Sequence, residues 1–493
     1  MISSNLPALQ VVIPLLGAVL AALVRRGRLA WLIALAVSWT MPVIAFALLR
    51  QVEAQGVVSY ALGGWAPPLG IEYRVDLVSA YILILVSLMG ALVMSYAPRS
   101  VASEIAPERQ AWFYTMYLLC LTGLLGITIT GDAFNAFVFL EVSSLSTYVL
   151  IALGRDRRAL LSAYQYLIVG TIGATFYVIG VGLLYVMTGT LNLADIAARI
   201  GDVENIRPLL AALAFITVGI SLKIALFPVH LWLPNAYAFA PSVVTIFLAS
   251  TATKVAIYLL LRYLFSVFGV AFVFDDLPVT EILIALSVAA MLVASIVAVF
   301  QANVKRMLAY SSVAQIGYIT LGIALATQTG LTGGIVHIFN HALMKAALFM
   351  AIGGIVFQTG IVRIEDMAGI GRRMPLTMGA FVIAGLALVG VPGTVGFVSK
   401  YYLVTAAVEQ GFWWLAAIIV LSSLIALVYI GRVIEVAWFR EPAAGIEAAR
   451  EPPLEMLALT WIVTAAIVVL GFNTDLTAGI AGRAAEVLLA GMK

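Results

Sequence analysis

The chain has 493 residues, of which 63% are hydrophobic and only 10% charged, with 27 Lys and Arg against 24 Asp and Glu. Its mean hydropathy of +1.10 lies far outside the range of water-soluble domains. This excludes an ordinary soluble enzyme, and the lack of any basic tract excludes nucleic acid as a partner. An all-α polytopic protein of the lipid bilayer is expected.

Apolar runs long enough to cross about 30 Å of hydrocarbon number fourteen, at 5–24, 29–50, 75–97, 111–130, 132–154, 159–188, 207–227, 241–265, 278–301, 306–326, 330–358, 375–397, 412–438 and 454–472. If they alternate in direction, Arg25-Arg26-Gly27-Arg28, Arg155-Asp156-Arg157-Arg158, Lys305-Arg306 and Arg372-Arg373 share one side. That side collects 16 Lys and Arg, the other 7. Cytoplasmic loops are the ones enriched in Lys and Arg, so both termini are expected outside the cell (inner) membrane. The first run leads straight into Arg25-Arg26 with no small-residue cleavage site, so it is expected to be retained. No loop is long enough for a nucleotide, flavin or haem domain. No cofactor is therefore expected, and any energy input must come from an ion gradient or a partner. Cys120 is the single cysteine, which leaves no disulfide and no Cys-based metal site.

Lys223, Lys254, Lys345 and Lys400, four of the six lysines, lie inside these runs, whereas the 21 arginines fall to loops and helix ends. Burial can remove a lysine's charge at biological pH, but a guanidinium stays protonated. The preference for lysine therefore points to proton movement. Glu141 is the one acidic residue in a run interior. Five such charges would cost on the order of 12 to 18 kcal/mol if unpaired, more than a typical folding stability. They must be paired, hydrated, or neutral part of the time.

Glu141 stands nine residues beyond Asp132, the acidic start of its run, which puts it about 13 Å deep. It is either a structural ion-pair partner or a switch whose approach favours the charged form of Lys223 and whose withdrawal releases the proton. Lys223 precedes Pro228 in Lys223-Ile224-Ala225-Leu226-Phe227-Pro228. The ring clashes with the carbonyl of Ile224, so the helix should break beside the charge. Gly390-Val391-Pro392-Gly393 predicts a second break just before Lys400. Interrupted spans bearing buried charges are a pointer to repeated transporter halves. They are the seventh and twelfth, five apart, and a five-span repeat inverts its second copy. Two inverted five-helix repeats, helices four to eight and nine to thirteen, are expected; two independent proline kinks are the alternative. The domain division is 1–110, 111–265, 278–438 and 439–493.

Lys254 follows Ala249-Ser250-Thr251-Ala252-Thr253, and His337, His341 and Lys345 recur at steps of four in the eleventh run. Such steps drift only about 40° each, so the three groups share a face. Histidine, with an ordinary pKa near neutrality, suits a proton shuttle; a lone buried histidine would otherwise be a hydrogen-bonded core residue. His230 follows Pro228 and reads as interfacial. His337 and His341 have the spacing of a metal pair, but no nearby acid completes a ligand set, so no metal is expected.

Five segments carry a family resemblance: Phe134 through Glu141, Lys223 through Pro234, Lys305 through Ser312, His337 through Lys345, and Gly396-Phe397-Val398-Ser399-Lys400. In these the chain resembles the antiporter-like membrane subunits shared by Mrp-type Na+/H+ antiporters, respiratory complex I and membrane-bound hydrogenases. Its length and the Lys400 segment look most similar to the Mrp D subunit. The resemblance implies fourteen helices with broken seventh and twelfth members and a hydrated midplane row of charges. It makes Glu141 and Lys223 the switching pair, Lys254 the connecting lysine, His337 and Lys345 the central relay and Lys400 the terminal residue. Some family members carry Glu at the Lys400 position, and the long C-terminal extension of the largest subunits is not expected here.

The expected function is that of a proton-translocating subunit of a multisubunit cation/H+ antiporter, without redox chemistry of its own. Expected partners are other membrane subunits, protons and Na+. The alternative is the pump module of a complex I-like NADH-quinone oxidoreductase or membrane-bound hydrogenase. A stand-alone solute symporter is a third reading, for which no polar midplane pocket is evident.

Overall fold

The computed structural model describes residues 3–443 and 445–491. The apolar runs become membrane helices α1 (Leu6–Val24), α2 (Gly27–Gln55), α3 (Leu77–Glu104), α4 (Gln110–Ile129), α5 (Ala133–Ala152) and α6 (Arg157–Thr188). Next come α7, built from Ile206–Ile224 and Trp232–Phe239, α8 (Ser242–Val267), α9 (Val279–Val299), α10 (Val304–Ala324) and α11 (Gln328–Thr359). α12 is Pro375–Val389 followed by Val395–Glu409; α13 (Trp413–Phe439) and α14 (Leu454–Phe472) complete the set. Among the described residues thirteen helices are long and apolar enough to cross a membrane, Ile206–Ile224 of α7 among them, and a fourteenth candidate is the bent pair of Glu365–Arg373 and Pro375–Val389, the latter being the first half of α12. The helix starts follow from their caps: the Asp76, Asp132, Asn303 and Thr327 side chains each accept a backbone N–H freed at the first turn.

Contacts between loops sort the connections onto two faces, as alternation requires. On one face Tyr60 meets Asn5, the loop after α4 bonds to Glu72, and Asn192 reaches Glu72 as well. This is the hairpin face, because β1 (Val58–Ala61) and β2 (Glu72–Val75) form an antiparallel hairpin there. That hairpin is the departure from an all-α reading. On the opposite, basic face, Glu104 reaches Ser242, Asn303 pairs with Arg363, and Arg99 meets Glu455.

The expected repeat is visible in the packing. Within helices four to eight, α4 packs on α5, α6 on α7, and α4 also meets α8; within nine to thirteen, α9 packs on α10, α11 on α12, and α9 also meets α13. Both expected breaks are present, at Ala225–Leu231 and Gly390–Thr394.

Four details differ from the sequence expectation. α12 runs on to Glu409, twelve residues past the expected end, because its second half carries Ser399, Lys400 and two tyrosines that lower its hydropathy. A further helix, α15 (Ile480–Ala490), follows α14 and packs against α3 and α11. Arg262, expected at an exposed helix end, is buried at the end of α8, where it pairs with Asp76 and donates to the Tyr258 hydroxyl at 2.9 Å. Lys305, also expected in a loop, is buried in the first turn of α10. Lys493, counted with the hairpin-face cations, lies outside the described residues.

Candidate functional site

The first half of α7 ends at Ile224, where Ala225 turns into the left-handed region with φ of 61°. The carbonyls of its last turn then lack helical partners. The Trp232 indole N–H satisfies one of them, donating to Leu222 at 2.8 Å, while its ring stacks on Tyr166 at 3.7 Å. Lys223 thus sits in the last turn of a capped half-helix. Its Nζ donates to Ser144 Oγ at 2.6 Å and lies 3.8 Å from Glu141 Oε1. Glu141 and Ser144 are three apart on α5, so both face the same lysine. At 3.8 Å the ion pair is loose, and the serine makes the nearer contact. Beside it is a space of about 20 Å³ lined by Ser143, Ser144, Thr147, Lys223, Ala252 and Ala256, enough to seat one water molecule. Its lining runs from Lys223 to α8.

α8 breaks too, at Thr251, whose φ/ψ of −127°/−59° interrupts the helix. Lys254 stands just beyond. Its Nζ donates to the Ala249 carbonyl left free by the break and to Thr253 Oγ1 at 3.3 Å. Lys254 lies within electrostatic reach of His337, His341 and Lys345.

Those three groups line one face of α11 and are fully buried. The His337 and His341 rings are near-parallel, with centroids 6.1 Å apart. His337 Nε2 is 2.8 Å from Gln315 Oε1, and its Nδ1 is 2.7 Å from Ser399 Oγ. Both nitrogens of His341 have no hydrogen-bond partner among the described residues. Lys345 donates to the Leu308 carbonyl at 2.8 Å and to Ser311 Oγ.

Lys400, in the second half of α12, reaches back across the break and caps the first half. Its Nζ donates to Leu388 at 2.9 Å, Val389 at 2.8 Å and Ser423 Oγ at 2.8 Å, and it lies 4.7 Å from the Tyr318 ring centroid. A cation at free C-terminal carbonyls is favourably placed against the helix dipole.

The seven expected residues line the interior as a row, six of them buried and Glu141 partly exposed. His337 is tied to α12 through Ser399, the residue before Lys400, whereas Lys345, at the middle of α11, points toward α10. The sequence reading missed the hydroxyl and amide groups that hold the row, namely Ser144, Thr253, Ser311, Gln315, Ser399 and Ser423. Their signal was present as isolated polar side chains in otherwise apolar runs. His230 is buried in the α7 break, stacked on Phe227 at 5.2 Å, rather than interfacial. Among the described residues no three His, Cys, Asp or Glu side chains come together as a metal-binding group.

Residues 130–426, which contain every member of this row, match the family described as NADH:quinone oxidoreductase/Mrp antiporter, transmembrane. The chain belongs to that family. It is 41% identical to NADH-quinone oxidoreductase subunit N of Desulforudis audaxviator, over 97% of this chain and 98% of that one. It is 30% identical to the D subunit of the Na(+)/H(+) antiporter of Alkalihalophilus pseudofirmus, over 96% and 94%. Among solved structures, a chain of the Mrp complex from Dietzia sp. DQ12-45-1b superposes with a TM-score of 0.90 at 30% identity, covering 99% of this chain and 98% of that one. The protein is thus an antiporter-like, multi-pass membrane subunit, and its relatives are subunits of multisubunit membrane complexes.

Proposed function

We propose that this chain is the proton-translocating subunit of a multisubunit monovalent cation (Na+)/H+ antiporter in the cell membrane, with both termini outside. The observation that carries proton movement is the row itself. Four lysines and two histidines are buried in a membrane interior, with one partly exposed carboxylate, Glu141, beside Lys223, and hydroxyl groups, free carbonyls and a water-sized space lie among them. Glu141 modulates Lys223, Lys254 links the two repeats within 111–265 and 278–438, and protons pass by His341 and His337 to Lys400. Likeness to an antiporter D subunit and to the Mrp complex supports cation exchange as the driving partner reaction.

A second reading is favoured by the 41% identity to an NADH-quinone oxidoreductase subunit. In it the same row is driven by redox chemistry in partner subunits. Purification of the native complex separates the two. Small hydrophobic partners without redox centres support antiport, and co-purifying flavin and iron–sulfur subunits overturn it. In vesicles holding the assembled complex, Lys223→Ala and Glu141→Gln should each cut proton flux at least tenfold. Full flux in both would remove the row from the mechanism.

A further inference from the structure

The basic face has a cleft of about 570 Å³, walled by the ends of α3 and α7 and by the loops after α5, α9 and α11. Its charged lining is Glu104, Arg155, Asp156, Arg158 and Lys305. Arg158 is committed to Asp156 at 2.7 Å. Lys305 is different in kind, because it is only 4% exposed and forms part of the cleft floor. Its Nζ donates to Ser242 Oγ at 2.9 Å. Ser242 in turn donates its backbone N–H to Glu104 Oε2 at 3.0 Å and its hydroxyl to the same oxygen at 3.2 Å. A hydroxyl therefore stands between a buried ammonium and a carboxylate that borders the cleft.

The way inward from Lys305 is short. Leu308 and Ser311, three and six residues further along α10, are the acceptors of Lys345. At about 1.5 Å per residue these groups lie roughly 5 to 9 Å further along the helix axis than Lys305, a gap that a short chain of waters spans.

We propose that Glu104, Ser242 and Lys305 form a proton port between the cleft and Lys345. The proposal rests on the proton-translocating reading above. In the inward step the Lys305 ammonium gives a proton, across the bridging waters, to the neutral amine of Lys345, which becomes the ammonium. The Lys305 amine then takes the Ser242 hydroxyl proton, and Ser242 Oγ takes the proton of a Glu104 carboxylic acid loaded from cleft water. Glu104 is left as the carboxylate, and the proton now on Ser242 Oγ lies on the Glu104 side, which is the observed arrangement. The hydroxyl's rotation toward the Lys305 amine comes before the relay, once Lys305 has given up its proton and Glu104 has been loaded.

The test uses the assembled complex in vesicles with an internal pH reporter. Lys305→Arg keeps a cation that can donate to Ser242 but does not release its proton at working pH. It should lower proton flux at least tenfold with normal assembly; wild-type flux in this variant overturns the port and leaves Lys305 a structural cation. A second arm avoids any folding defect. Ser103→Cys, in a chain also carrying Cys120→Ser, places a thiol on the cleft wall. A bulky membrane-impermeant thiol reagent added to the assembled complex should abolish most of the flux, and unchanged flux after complete labelling overturns the proposal. Lys223→Ala is run in parallel. If it stops flux while Lys305→Arg and cleft labelling do not, the port fails alone. If none of the three alters flux, the proton-translocating reading fails with it.

Discussion

Ser399 Oγ lies 2.7 Å from Nδ1 of His337 and 3.3 Å from the carbonyl of Gly396. Its one proton thus has two places to point. When it points to the carbonyl, Oγ is free to accept from Nδ1–H; when it points to the ring, Nδ1 is the acceptor. Because Gln315 Oε1 only accepts from Nε2–H, the first arrangement belongs to the imidazolium and the second to the neutral ring, so the pair exchanges donor and acceptor as the ring gains or loses a proton. Ser399→Ala removes that exchange and one neutral hydrogen bond. About 1 kcal/mol is at stake, roughly a fivefold loss of proton flux, with assembly unaffected. Flux equal to wild type at every gradient applied would exclude the serine from the path.

A side chain at Gly170 would collide with the Tyr148 hydroxyl and bring Cβ to 3.4 Å from Lys223 Nζ. Gly170→Ala should therefore destabilise by about 1 to 3 kcal/mol as an overpacked site, and should depress flux through displaced Tyr148 and Lys223. Gly182, on the same helix, has nothing within 4 Å of the position a methyl group would take, and Gly182→Ala should leave both properties unchanged. Thermal unfolding of the detergent-purified complex and vesicle flux compare the two directly.

Trp232→Phe keeps an aromatic ring against Tyr166 but deletes the N–H that caps Leu222. A carbonyl in the last turn before a break would lose its partner at a cost of about 1 to 3 kcal/mol. Hydrogen exchange should show faster opening at the end of the first half of α7, the turn that holds Lys223. Unaltered protection there would mean that water replaces the indole without loss.

In the loop after α5, hydrogen bonds from Arg158 hold the Asp156 carboxyl below the usual carboxylate range. A depressed folded-state value means that the stabilisation is fully present above the ordinary carboxylate range and is lost as pH falls through the depressed value. The pair is exposed, so its worth is under about 1 kcal/mol. Asp156→Asn should cost that small amount at neutral pH, and the difference from wild type should vanish in strong acid. A difference that grew with acidification would contradict the sign.

Sequence made the breaks in α7 and α12 legible because proline and glycine announce them. The break in α8 carries no such mark, since Ala249-Ser250-Thr251-Ala252 contains only residues that helices tolerate. The burial of Arg262 was hidden because its partner, Asp76, is 186 residues away. Lys305 belonged to a basic pair that looked like an ordinary cytoplasmic cluster, and its acceptor Ser242 is 63 residues away. Steps of four placed His337, His341 and Lys345 on one face, but the direction in which each group connects depends on α10 and α12, which no local pattern encodes. Glu141 and Lys223 could be paired from the scarcity of interior charge; that Ser144 would stand nearer to the lysine could not.

The capping of broken helices by Lys254 and Lys400 has an electrical consequence. Neither lysine has a carboxylate to neutralise it, so each is stabilised only by dipoles that stay in place whether or not the proton is there. On the proposed proton-translocating reading the row would behave like a line of like charges in a poorly screening medium, with Glu141 as its one paired counter-charge among the described residues. Loading a proton at one position raises the energy of its neighbours, and the cheapest relief is loss of a proton at the far end. The two ends can therefore sense each other's occupancy through the field alone, with no helix sliding or tilting to carry the message.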